Sequence, residues 1–176
     1  MNLTLVRVIH SDNPFVDNPD SRDPVRRFRG RLSAPVTVVT AGGDTDRTGL
    51  TVSSLMIVEG EPGRIELVVG PTTDLWDAAA GTGRFVVHVC TDEDRALTEV
   101  FAGLRPSPGG VFAGLEVSQS DWGPVIDRLT NRAYCDFADR RKLGYSGIIS
   151  GTIDRVEVAE LNRPLTYFRG RYHTLQ

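Results

Sequence analysis

The chain has 176 residues, 40% of them apolar and 24% charged, with a net charge of −3. These values fit one ordinary folded domain with a core of its own. They carry no nucleic-acid footprint, and no apolar run approaches the roughly 20 residues that cross a bilayer. Cys90 and Cys135 are the only cysteines; with no charged-then-apolar leader, the expected location is cytoplasmic rather than secreted.

Residues 1–22 read as an N-terminal arm, because the stretch SDNPFVDNPDSRDP is rich in turn formers. The folded domain is expected over 23–176. Asp23-Pro24 opens a short helix with proline at its first position, and Val25, Phe28 and Leu32 fall on one apolar face. The arginine cluster RRFRGR at 26–31 is then that helix's polar face.

From Pro35 the texture becomes β. Val36, Thr37, Val38, Val39 and Thr40 form a run too apolar on both sides to face water. AGGDTDRTG at 41–49 reads as a hairpin loop, and residues 50–58 return as one strand. GEPG at 60–63 is the next turn and RIELVVG the third strand. DLWDAAAG at 74–81 gives a short helix with a glycine stop. A strand follows at 84–90, a helix at 92–103 and a loop at 105–110.

The last third holds two long strands, about 129–139 and 144–159, and a short one at 165–172. Ile148, Ile153, Val156 and Val158 do not keep one parity, so Gly147 or Gly151 marks a bulge. Six or seven strands with hairpin-length connections, against about three short helices, predict a mostly β protein built as a closed antiparallel barrel.

No G-x-G-x-x-G opens a helix after a strand, and there is no P-loop, H-E-x-x-H, G-x-S-x-G or paired C-x-x-C. His88 and Cys90 share a strand face and could join Cys135 around a metal. The preferred reading is a satisfied core histidine with two small core cysteines, and no metal is expected. Thr72 and Thr73 precede the helix at Asp74, where free N–H groups and the helix dipole favour an anion. The plainer reading makes Thr73 or Asp74 simply the N-cap.

Taken in order, VTVVTA…GLTVSS, PTTDLWDAA, RFVVHV, VFAGLEV, DWGPVID and LTYFRGRYHTL resemble the flavin reductase-like family from about residue 25 to 175. That resemblance implies an antiparallel Greek-key barrel, the FMN-binding split barrel. It also implies an NAD(P)H-dependent reductase of FMN or FAD that works as a homodimer and supplies a partner monooxygenase. Carried over by position, Thr51, Val52, Ser53 and Ser54 border the flavin ring, and Thr72 and Thr73 take its phosphate. Phe112, Ala113 and Gly114 lie near the cofactor. Arg169 and Arg171 share one face of the last strand with Tyr167, and Arg169 offsets phosphate charge. The cofactors carry such chemistry, so no catalytic side chain is singled out.

The chain departs from the family where many members carry Gly-Asp-His near the nicotinamide: Gly144, Tyr145 and Ser146 stand there instead. This departure defines an alternative, a flavin-binding protein without nicotinamide-dependent activity. A further alternative is a barrel kept as a dimerising module with an empty pocket. His88 occupies a position where asparagine is common, and Pro35 one where glycine is frequent.

Overall fold

The computed structural model describes residues 23–175, so the arm expected at 1–22 lies outside the described residues. The Asp23 carboxylate accepts from the Val25 N–H at 2.6 Å and caps α1 (Pro24–Arg29), with Pro24 in the first turn. The helix forms as expected, but its apolar face finds no cover among the described residues. Val25, Phe28 and Leu32 are 74%, 68% and 58% exposed.

Strand β1 (Ala34–Pro35) is followed by β2 (Thr37–Ala41), buried along its whole length as its β-branched run requires. The expected strand over 50–58 is two strands. β3 (Thr48–Val52) pairs with β2, whereas β4 (Leu55–Val58) pairs with β5 (Arg64–Val69). The apolar residues on both sides hide the break at Ser53-Ser54, because serine does not punctuate as glycine or proline does.

That break carries the chain from one edge of the large sheet to the other. With β6 (Arg84–Val89), β9 (Arg132–Leu143) and β10 (Ser146–Glu157), the large sheet runs β3-β2-β6-β9-β10-β5-β4, antiparallel at every pairing. Its two outer strands, β3 and β4, are separated by only two residues in the chain, so the sheet curls into a half-barrel that brings its two edges toward each other. The Ser54 carbonyl accepts from the Val68 N–H of β5 at 2.8 Å, extending the β4–β5 ladder by one residue.

Inward residues of six strands, among them Val39, Val52, Leu67, Phe85, Cys135 and Ile149, form one core cluster with Leu75, Trp76 and Ala79 of α2 (Asp74–Thr82). Helix α2 thus packs against the barrel's inner lining. It runs past the expected stop at Gly81 and ends at Gly83, whose φ of +72° gives the left-handed cap.

A second cluster uses the other side of β2. Val36 and Val38 meet Leu97 and Phe101 of α3 (Arg95–Phe101), Ile126 and Leu165. The hairpin β7 (Val117–Ser120) and β8 (Gly123–Ile126), not anticipated from the sequence, supplies Ile126. In β10 the register slips at Gly151, where the broken alternation pointed, and again between Ile153 and Arg155; Gly147 keeps its register.

The expected last strand, 165–172, is a hairpin of β11 (Leu165–Phe168) and β12 (Arg171–Thr174). Arg169 and Gly170, with φ of +51° and +79°, make its two-residue turn. Arg169 therefore sits at a tip and does not share a strand face with Arg171. Glycine accepts the second position easily, but arginine at the first gives no turn signal, so the sequence reads as continuous β.

Candidate functional site

β1 pairs with β11, placing Ala34 opposite Tyr167 and Pro35 opposite Thr166. This pairing brings the segment after α1 alongside the C-terminal hairpin. Between α1, the Ser53-Ser54 seam and the Arg169-Gly170 turn lies a cleft of about 540 Å³, within the range of cofactor sites. Its polar lining is three arginines (Arg26, Arg29, Arg169) and the hydroxyls of Ser33, Ser53, Ser54 and Tyr167. Pro35 and Leu55 add apolar surface, and no carboxylate lines it among the described residues. Such a lining fits an anionic ligand with a flat, hydrogen-bonding head.

Three of the residues expected at the site, Ser53, Ser54 and Arg169, line this cleft. Thr51 and Val52 hold the seam instead of facing it. The Thr51 hydroxyl donates to the Thr98 carbonyl of α3 at 2.7 Å, and the Val52 side chain is buried in the core. The Val52 carbonyl accepts from the Thr37 hydroxyl, also at 2.7 Å.

Thr73 is the N-cap residue of α2, but its hydroxyl donates to the Gly70 carbonyl at 2.8 Å; Thr72 beside it is exposed. Gly70 lies two residues beyond Val68, the ladder partner of Ser54, so β5 links the α2 start to the cleft. Asp74 and Asp77 occupy the first turn of α2, and Asp77 is paired with Arg140 at 2.8 Å. Phe112 packs edge-to-face on Phe101, with centroids 5.2 Å apart, in the second core cluster. Ala113 and Gly114 are exposed beside it, and none of the three lines the cleft.

His88 is fully buried and both ring nitrogens are engaged. Nδ1 lies 3.1 Å from the Val38 carbonyl, and Nε2 accepts from the Ile126 N–H at 3.3 Å. These partners fix the tautomer with the proton on Nδ1. Burial, partly offset by the Val38 hydrogen bond, lowers its pKa to about 4, so it is a neutral tie between β2, β6 and β8. Cys90 and Cys135 are buried in different core clusters, and burial raises both thiols, which keeps them unreactive. Gly144 and Tyr145 form the β9–β10 turn, with Gly144 at φ +59° and the Tyr145 side chain fully exposed.

Sequence reasoning missed Arg26 and Arg29. The cluster RRFRGR read as a solvated helix face, yet its i, i+3 pair puts two guanidinium groups on one side. The β1–β11 pairing that brings Arg169 opposite them has no local signature.

The fold defines a class, the antiparallel split barrel, here with a cleft beside Ser53-Ser54. Residues 29–176 match the family model described as a flavin reductase like domain, and the chain belongs to the flavin reductase-like family. It is 30% identical over 154 residues, covering 88% of this chain and 97% of the relative, to the reductase component of 4-hydroxyphenylacetate 3-monooxygenase from Thermus thermophilus. It is 31% identical over 158 residues to the NADH-dependent FMN reductase AsuE2 of Streptomyces nodosus subsp. asukaensis, covering 88% and 85% of the two chains. The nitrilotriacetate monooxygenase component B homologue from Mycobacterium thermoresistibile superposes with a TM-score of 0.77 at 26% identity, over 86% and 85% of the chains. The Streptomyces globisporus NADH:FAD oxidoreductase SgcE6 superposes at 0.78 with 21% identity, over 92% and 97%, and so shares the fold.

Proposed function

We propose that the chain is an NAD(P)H-dependent reductase of FMN or FAD that hands reduced flavin to a partner monooxygenase. Its family and the names of its relatives support this reading. The observation that carries it is the seam at Ser53-Ser54, which opens into a cleft sized and lined for an anionic cofactor. When bound, the flavin supplies the redox chemistry, taking a hydride from the nicotinamide. The chain's own part is to bind, orient and supply hydrogen-bond donors.

In this reading Ser53 and Ser54 present hydroxyls and main chain to the edge of the ring, and Thr51 and Val52 fix their position. Thr72 and Thr73 offer the start of α2 to a phosphate, Arg169 contributes positive charge, and Phe112, Ala113 and Gly114 shape the loop beside α3. The domain at 23–176 is the working unit, and the family match over 29–176 supports that division. A homodimer in the cytoplasm is part of the proposal. The apolar face of α1, without cover among the described residues, and the exposed Met56, Ile57 and Val58 of the outer strand β4 support self-association. Among the described residues no helix is long and apolar enough to cross a membrane.

Thr73→Asp tests the phosphate assignment. Aspartate is a good N-cap, so α2 still starts correctly, while its charge repels a phosphate there. Flavin affinity and flavin-dependent NAD(P)H oxidation are expected to fall at least about tenfold. Unchanged kinetics would remove Thr73 from the site. The alternative without nicotinamide-dependent activity is favoured by one feature, Tyr145 and Ser146 at the β9–β10 turn. It requires tight flavin binding with no NAD(P)H turnover, and turnover regained in Ser146→His.

A further inference from the structure

We infer that Thr37 is a positioning residue for the flavin ring: its buried hydroxyl holds the Val52 carbonyl and thereby aims the main-chain donor of Ser53. The inference rests on the flavin reductase reading above and adds to it a residue outside the cleft lining. Thr37 is only 3% exposed, and its hydroxyl donates to the Val52 carbonyl at 2.7 Å. That carbonyl and the Ser53 N–H belong to one trans peptide plane, so they point in opposite directions. Whatever fixes the carbonyl therefore fixes the N–H. Ser53 lines the cleft, and its N–H finds no acceptor among the described residues. A main-chain donor left free at the lining of a cofactor-sized cleft is available to a ligand's acceptor.

Thr37 is the first residue of β2 and Val52 the last of β3, and the two are partners in the ladder. Before Thr37 the chain belongs to another sheet. The Val36 N–H donates to the Leu165 carbonyl at 3.1 Å, and Pro35 pairs with Thr166 of β11. After Val52 the chain leaves β3 for β4 through Ser53-Ser54. The hydroxyl bond thus sits where both strands leave the ladder, close in sequence to Pro35 and Ser53, which line the cleft. It ties the two lining segments together where regular main-chain pairing ends. Thr40, further along β2, provides the comparison. It is fully buried and its hydroxyl donates to the Pro124 carbonyl at 2.5 Å, but neither residue lines the cleft.

Riboflavin, which has the ring but no phosphate, is the probe, titrated by fluorescence quenching into the full-length protein freed of flavin. Thr37→Val keeps the β-branched shape and removes the hydroxyl. It is expected to weaken riboflavin and FMN by the same factor, at least about fivefold, and to raise the KM for flavin with kcat within about twofold. Thr37→Ser, which keeps the donor, should stay within about twofold of the parent. Thr40→Val removes a hydroxyl bond of the same kind. It should lower the melting temperature as much as Thr37→Val does, with flavin affinity unchanged. Unchanged riboflavin affinity in Thr37→Val overturns the inference, and so does an equal loss in Thr40→Val or in Thr37→Ser. The Ser53 amide resonance of the flavin-free protein gives a reading that needs no ligand. It should move in Thr37→Val and stay in Thr40→Val; a resonance that stays in both overturns the inference as well. A resonance that moves as expected, beside a parent that binds no flavin, would contradict the reductase reading alone.

Discussion

Gly147→Ala is expected to destabilise the protein by about 2–3 kcal/mol and to lower its melting temperature by roughly 5–10 °C. A Cβ at residue 147 would lie 2.3 Å from the six-membered ring of Trp76, far inside contact distance. The ring has little room to yield. Trp76 is buried in the core cluster, Arg140 stacks 5.1 Å from its centroid, and the same guanidinium donates to the Trp76 carbonyl at 2.6 Å. Relief therefore has to come from moving α2, whose N-terminus carries Thr72 and Thr73. The variant should lose flavin affinity as well as stability. Pairing it with Trp76→Leu should return part of the melting temperature, because contacting residues are not additive. A variant that melts like the parent would show that α2 is not pinned at this contact.

Acid should destabilise the protein in a window set by His88. Its folded pKa is about 4 against an ordinary value of 6.5, so between these two values the unfolded chain binds a proton that the folded chain refuses. Stability is full above pH 6.5 and falls as the pH drops toward 4, by about 1.4 kcal/mol per unit and about 3 kcal/mol in all. Below pH 4 this contribution is gone. The cause is structural: Nε2 accepts from the Ile126 N–H in a site with no access to water, and a proton there would remove that acceptor. His88→Asn, which does not titrate, should flatten this part of a denaturant-midpoint profile measured against pH. An unchanged slope in that variant would place the acid sensitivity elsewhere.

Much of the barrel is legible in the sequence because its strands are β-branched runs with turn residues between them. The run at 36–40 announces a strand buried on both faces, and β2 is one. The broken parity around Gly151 announces a bulge, and the register slips there. Misreadings fall where a change of direction is made by residues that also suit strands. Ser53-Ser54 carries the chain from one end of the sheet to the other without a glycine or proline. Arg169 turns the chain at positive φ with a side chain that seldom does so.

The site shares this limit. The resemblance to the flavin reductase-like family leads to Ser53, Ser54 and Arg169, three residues of the cleft wall. The long-range pairing of β1 with β11 is what sets Arg26 and Arg29 across from them. A helix of six residues with an exposed apolar face looks, in sequence, like any amphipathic surface element.

The most direct test is NAD(P)H oxidation by the purified protein, followed by absorbance with FMN and FAD supplied separately. The expected result is oxidation that depends on the protein and on at least one flavin, and that stops when flavin is withheld. A folded protein that oxidises neither NADH nor NADPH with either flavin would contradict the reductase function.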